Sequence, residues 1–170
     1  MVIYMYIFTI NFCWWFYVGW FTNYLSDRCQ SVYHNGCSSS ILNISSGVPQ
    51  GSVLGPILFS IYADVLGRNI PNANFHFYAD DTVLYCFGST LNQAFDCLQT
   101  AFTLLENQLI DLKLVLNVSK TKLMLFSNGR KVSDPPPSLF SSQGNQIELV
   151  THYKYLGILI DDRLSFKTHI

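Results

Sequence analysis

Phe75-His76-Phe77-Tyr78-Ala79-Asp80-Asp81-Thr82-Val83-Leu84-Tyr85-Cys86-Phe87 sets two adjacent carboxylates between two apolar runs. Each run has the length and content of a short strand, and the polar step between them is the turn of a hairpin. Neighbouring side chains on a straight strand point to opposite faces of a sheet. Asp80 and Asp81 therefore converge on one site only because the backbone turns there. Paired hard oxygen ligands at such a turn suit Mg²⁺, which takes few protein carboxylates and keeps positions open for substrate phosphates. Two such ions can activate an attacking oxygen and stabilise a leaving one in phosphoryl transfer. Taken alone, the tetrapeptide Tyr78–Asp81 also reads as a solvated turn, where Asp is common in any case.

The stretch upstream separates the two readings. Ser45-Ser46-Gly47-Val48-Pro49-Gln50-Gly51-Ser52-Val53-Leu54-Gly55-Pro56-Ile57-Leu58-Phe59 precedes the carboxylates by a short helix and a loop. This block followed by Tyr78-Ala79-Asp80-Asp81 resembles the reverse transcriptases of non-LTR retrotransposons, the long interspersed elements. Further blocks resemble that family in the same order. They are Phe21-Thr22-Asn23-Tyr24-Leu25 with Arg28 and Gln30, Leu116-Asn117-Val118-Ser119-Lys120-Thr121-Lys122, and Tyr153-Lys154-Tyr155-Leu156-Gly157 with Asp161 and Leu164. The resemblance covers residues 21–170 and leaves an apolar leader, 1–20, outside it.

Composition bounds the rest. The 170 residues are 49% hydrophobic and 12% charged, too apolar for a disordered chain and poor in charge for a soluble one. The net charge of −1 is not that of a free-standing nucleic-acid binder. It is unevenly spread: residues 111–170 carry eight bases and five acids, and residues 1–110 carry two bases and six acids. A basic C-terminal part can follow a phosphate backbone, and it can equally be a solvated surface. Cys13, Cys29, Cys37, Cys86 and Cys97 are odd in number and form no C-x-x-C pair, which argues against a disulfide framework or zinc site and favours an intracellular setting. Met1 to Ser26 contain no charged side chain, so a membrane-spanning segment is the minor alternative to a leader without a selected role.

Along the chain, Val32-Tyr33 and Ile41–Ile44 are candidate strands around Asn35-Gly36, and Gly47–Gly55 is a loop. Pro56 opens a helix running to Leu66, near Gly67. Ser89 or Thr90 caps a second helix whose Leu91, Phe95, Leu98, Phe102, Leu105 and Leu109 form an apolar stripe. Leu112–Val118 and Thr121–Phe126 read as strands, Asp134–Ser138 as a loop, and Ile147–Val150 with Tyr153–Ile160 as a closing hairpin. The expected fold class is α+β, an antiparallel sheet with helices on one face. The resemblance implies the same: an incomplete polymerase palm, with the start of the thumb from about residue 128.

The resemblance also implies roles. Asp80 is the principal metal ligand and Asp81 the accessory one, for Mg²⁺ or Mn²⁺. Gly47, Pro49, Gln50, Gly51 and Tyr78 face the incoming nucleotide and template, Gln50 being able both to donate and to accept hydrogen bonds. Lys120 supports or protonates the pyrophosphate leaving group, and Tyr155, Leu156 and Gly157 hold the primer. An RNA template, a DNA primer and deoxynucleoside triphosphates are the implied partners of a nucleotidyltransferase. The family's further aspartate, on a strand upstream of the glycine loop, has no counterpart in Met1–Ser46, where Asp27 is the only acid. The expectation is a reverse transcriptase fragment inactive by itself, its isolated chain needing a partner. The alternatives are a non-catalytic remnant acting as an interaction module and a small membrane-anchored protein.

Overall fold

The computed structural model describes residues 14–126 and 137–166. Two units divide the chain, Met1–Leu58 and Phe59–Ile170. In the first, α1 (Trp14–Leu25) runs through the second part of the uncharged stretch. The rest of the leader, residues 1–13, lies outside the described residues. Two nested hairpins come next: β2 (Tyr33–His34) pairs with β3 (Cys37–Ser38), and β1 (Arg28–Gln30) pairs with β4 (Leu42–Ile44) around them. Asn35 and Gly36 make the inner turn with φ of 48° and 80°. Both are left-handed, as a type I′ turn requires and an Asn-Gly pair supplies.

Helix α2 (Gly55–Ala63) spans the division between the units and carries Pro56 in its first turn, where no amide hydrogen is needed. It ends at Ala63, short of the expected Leu66. From there the amides of Asp64, Leu66 and Arg68 bond three residues back, to Ile61, Ala63 and Val65, so the chain tightens into turns. Gly67 stops it in a left-handed conformation, φ +72°.

The second unit is built on α3 (Leu91–Asp111). Thr90 is its N-cap, the hydroxyl accepting from the Gln93 amide at 3.2 Å while the Gln93 side chain accepts from the Ser89 amide at 3.1 Å. The predicted stripe is the buried face, and it divides between two cores. Phe95 and Phe102 pack with Leu123, Leu139 and Ile147; Ala101 and Leu105 pack with Leu66 and Ile70. Leu84, from the carboxylate hairpin, touches both. Polar side chains of the same helix hold the flanking segments. Gln108 accepts from the Gly67 amide at 2.8 Å and donates to the Arg68 carbonyl at 2.9 Å. Gln99 clasps the Phe140 backbone in the same two-handed way, at 2.9 and 3.0 Å. The buried Glu106 accepts from the Ser142 amide and hydroxyl at 2.8 and 2.5 Å.

The mixed helix and antiparallel-hairpin content matches the expected class, but the single sheet is not present. Among the described residues the strands form separate two-stranded ladders. They include β5 (Asn74–Tyr78) with β6 (Asp81–Tyr85), and β9 (His152–Tyr155) with β10 (Ile158–Asp161). The segment Ile147–Val150 does not join a hairpin with Tyr153–Ile160. Its β8 (Glu148–Leu149) pairs in parallel with β7 (Lys122–Leu123), and the hairpin lies wholly within 152–161. Leu112–Val118 is no strand either. Leu112, Leu114, Leu116 and Val118 alternate inward against the two cores while Val115 is 94% exposed, so the period-two pattern is real. Among the described residues no neighbouring strand bonds to it. Most of the Asp134–Ser138 loop lies outside the described residues. Among those described, no helix is long and apolar enough to cross a membrane.

A Cβ at Gly67 would meet the Phe75 ring at 2.8 Å, whereas one at Gly144, also left-handed at φ +79°, would meet nothing. Gly144→Ala should cost only the backbone term, about 1–2 kcal/mol. Gly67→Ala should cost at least about 1 kcal/mol more, because it also displaces the ring. Urea denaturation of both variants checks this, and equal losses would remove the ring contact from the account.

Candidate functional site

The register of the carboxylate hairpin follows from its alternation. Phe75 and Leu84 pair across it and face the core, and Phe75 stacks on Phe77 with ring centroids 5.8 Å apart. The other face carries Asn74, His76, Tyr78, Asp81, Val83 and Tyr85. Tyr78 pairs directly with Asp81, so Ala79 and Asp80 are the whole loop. Ala79 takes φ +52° while Asp80 stays out of the left-handed region. An L-residue there is held against its steric preference, at a cost of about 1–2 kcal/mol. The turn is what lets the consecutive Asp80 and Asp81 side chains leave the alternation of a straight strand.

Both carboxylates are exposed, and among the described residues neither has a hydrogen-bond or ion-pair partner. Tyr78 beside them is 64% exposed, so it is no core aromatic. On the same face His76 stacks on Tyr85, with centroids 5.7 Å apart and the Tyr85 hydroxyl 3.4 Å from His76 Nε2. Behind the turn a cleft of about 280 Å³ is lined by Phe59, Ser60, Asp64, Phe77 and Ala79 among others. Asp64, an acid that lines the same cleft, is engaged by Arg68 one helical turn on. Among the described residues no three His, Cys, Asp or Glu side chains gather into a metal cluster. The acids at this turn are the two adjacent aspartates, Asp80 and Asp81. Two free, water-facing carboxylates suit a hard divalent cation that keeps most of its own water or takes phosphate oxygens.

The other predicted residues sit on separate supports. Gly47 and Gly51 are left-handed, φ +79° and +77°, with open space where a side chain would be. Arg28 secures the start of that loop, donating to the Gly47 carbonyl at 2.6 Å and to the Leu25 carbonyl at 3.0 Å. Gln50 is exposed, and Pro49 begins a turn closed by the Ser52 amide at 3.3 Å. Lys120 is exposed on a turn made by Asn117. The Asn117 side-chain oxygen accepts from the Ser119 hydroxyl at 2.7 Å and the Lys120 amide at 3.2 Å. The Asn117 carbonyl takes the Thr121 amide at 3.0 Å. Sequence reading named Asn117 only as part of a block, although an Asn that bonds its own backbone a few residues on is a recognisable turn signal.

Leu156 and Gly157 form the two-residue turn of β9–β10, with φ of 47° and 86°. Like Ala79, Leu156 is an L-residue in a left-handed turn. Asp161, 4% exposed at the end of β10, ties down the backbone of residues 163–166. Its carboxylate accepts from the Arg163 amide at 3.0 Å, the Ser165 amide at 3.0 Å, the Ser165 hydroxyl at 3.1 Å and the Phe166 amide at 2.8 Å. The Ser165 amide first, then the Phe166 amide, the Ser165 hydroxyl and the Arg163 amide, lower its pKa from 3.8 to about 2 against the opposing effect of burial.

With this geometry in hand, comparison with known proteins decides the family. Residues 5–160 match the family described as "Reverse transcriptase (RNA-dependent DNA polymerase)". The chain belongs to the reverse transcriptase family. It is 34% identical over 155 residues to the RNA-directed DNA polymerase from mobile element jockey of Drosophila melanogaster, covering 87% of this chain and 16% of that protein. The jockey polymerase of Drosophila funebris is 32% identical over 159 residues, again 87% and 16%. The probable RNA-directed DNA polymerase from transposon BS of Drosophila melanogaster is 33% identical over 164 residues, 91% of this chain and 18% of that protein. This reverse transcriptase chain thus spans less than a fifth of the length of these relatives. No solved structure matches it.

Two outcomes are expected. Ala79→Gly should relieve the left-handed turn and leave stability unchanged or raised by up to about 1 kcal/mol, read as a shift of the urea midpoint. The depressed pKa of Asp161 makes its stabilisation full above about pH 3.8 and lost as pH falls through about 2. The stability gap between the wild-type chain and Asp161→Ala, followed by circular dichroism, should be constant above that window and close within it. A gap that persisted at the acid end would show that the carboxylate's charge is not what holds residues 163–166.

Proposed function

We propose that this chain is the palm portion of a retrotransposon RNA-directed DNA polymerase, contributing part of a template-directed nucleotidyl-transfer site and inactive by itself. The observation that carries this reading is the Tyr78–Asp81 turn, where two carboxylates without a partner among the described residues and an exposed tyrosine stand at a strained hairpin tip. Asp80 is assigned as the principal ligand and Asp81 as the accessory one. A bound Mg²⁺ or Mn²⁺ would supply neutralisation of the phosphate charge that develops during transfer.

The chain's own residues do the positioning. The left-handed Gly47 and Gly51 leave backbone open to a nucleotide's approach, Gln50 offers donor and acceptor together, and Pro49 stiffens the turn between them. Tyr78 offers a flat, exposed surface beside the carboxylates to the incoming nucleotide and template. Lys120, exposed on the Asn117 turn, is assigned to steady or protonate the leaving pyrophosphate. The turn of Tyr155, Leu156 and Gly157 holds the primer backbone. An RNA template, a DNA primer and deoxynucleoside triphosphates are the substrates on this reading, and the region from about residue 128 begins the thumb.

Inactivity of the chain alone follows from charge and geometry. Two carboxylates at one turn leave a dication pair loosely held, whereas phosphoryl transfer depends on sub-ångström placement. A net charge of −1 gives little grip on a template. A specific observation also favours the interaction-module reading. In the second unit Ile61, Tyr62 and Val65 are 53, 48 and 42% exposed, apolar surface that a partner chain would cover.

Primer extension on a primed RNA template, with Mg²⁺ or Mn²⁺, tests the proposal using the purified chain beside an Asp80→Ala/Asp81→Ala variant. Neither should extend the primer above background. Isothermal titration with Mn²⁺ should give weak binding to the wild-type chain that the double variant loses. Extension by the wild-type chain would overturn the inactivity, and metal binding unaffected by the double variant would overturn the ligand assignment.

A further inference from the structure

A second kind of metal-ligand pair stands at the tip of the nested hairpins in the first unit. His34, the last residue of β2, is the direct partner of Cys37, the first of β3. Opposed residues of an antiparallel pair project from the same face, with Cβ atoms about 4.5–5.5 Å apart. Asn35 and Gly36 between them are both left-handed, so backbone conformation alone fixes the spacing. His-x-x-Cys has the two-residue gap with which paired ligands flank a turn in structural zinc sites. It escapes a search for C-x-x-C because one of its members is a histidine. Both side chains are exposed, and among the described residues neither has a hydrogen-bond or ion-pair partner.

We propose that His34 and Cys37 are half of a zinc site, completed by the same two residues of a second copy of this chain. One Zn²⁺ then joins two hairpin tips in a tetrahedron of two imidazole nitrogens and two thiolate sulfurs. Each Cys37 thiol releases its proton to the buffer, so one Zn²⁺ displaces two protons and is neutralised by two thiolates.

The chemistry of the donors selects the ion. Thiolate and imidazole suit Zn²⁺, whereas Mg²⁺ takes oxygen ligands. Structural zinc is four-coordinate, and one tip supplies two donors. Among the described residues no third His, Cys, Asp or Glu joins them. A two-fold axis through the ion supplies the missing two from the same patch on a second copy. The approach is open. Every residue from 29 to 43 is exposed, and no Asp, Glu, Lys or Arg occurs between Cys29 and Ser46. Two tips therefore meet without like-charge repulsion, and no carboxylate in this stretch competes for the ion.

The test titrates the full chain, reduced and metal-free, with Zn²⁺ while sedimentation velocity reads its mass. The expected result is a doubling of mass, complete at one Zn²⁺ per two chains and reversed by EDTA. Co²⁺ in place of Zn²⁺ should give the thiolate-to-metal charge-transfer band and the intense visible absorption of a tetrahedral site. Cys37→Ser should lose both the dimer and that band. His34→Ala should lose the dimer, whereas His34→Cys, which keeps a zinc ligand at the position, should retain it. That contrast separates lost ligation from lost folding. Cys29→Ser, on the outer ladder opposite Asn43, should behave as the wild-type chain. Zn²⁺ that leaves the mass unchanged, a doubling that survives Cys37→Ser, or one that Cys29→Ser abolishes would overturn the proposal.

Discussion

Helix α3 is the constraint on which the second unit depends. Its buried Phe95, Ala101, Phe102 and Leu105 reach two cores, which Leu84 and the segment 112–118 also touch. Short ladders of two to five residues bury little by themselves, and isolated two-stranded hairpins are marginal in water. A helix of 21 residues with a good N-cap supplies the surface on which they become stable. The amide clamps add direction to this. Gln99 and Gln108 each satisfy a donor and an acceptor of loop backbone at once, so loops that would fray are tied at fixed points along the rod.

That rod also sets where the carboxylates stand. Phe75 and Leu84 anchor the hairpin against the core, which leaves the opposite face and the tip to water. Two adjacent like charges repel, and burying them unpaired would cost far more than a strained alanine does. The tip is therefore the tolerable place for Asp80 and Asp81. The same economy recurs at Leu156, where a left-handed turn projects a hairpin tip, and at Asp161, whose buried charge is acceptable because four donors surround it.

The first unit differs in kind. Of its described residues only Gly55 is fully buried, and its nested hairpins hold together by backbone pairing and by Arg28, which links Leu25 to Gly47. Its local conformations are nonetheless specified, because Asn35-Gly36 and the glycines at 47 and 51 dictate turns without needing a core.

The sequence by itself determined what short-range chemistry controls. The hairpin around Ala79-Asp80, the Asn35-Gly36 turn, the Thr90 cap, the stripe from Leu91 to Leu109 and the family blocks were all legible in residue order. Each depends on contacts within a few residues or on a period. Tertiary structure alone decided which strands found partners. Leu112–Val118 alternates as well as any strand, yet pairs with no strand among the described residues, and Ile147–Val150 turns to β7 instead of its sequence neighbour. Hydrogen-bonded pairing is a long-range choice, invisible to alternation. Tertiary packing likewise put Glu106 under Ser142, since nothing in a one-dimensional pattern says which face of a helix and which loop will meet.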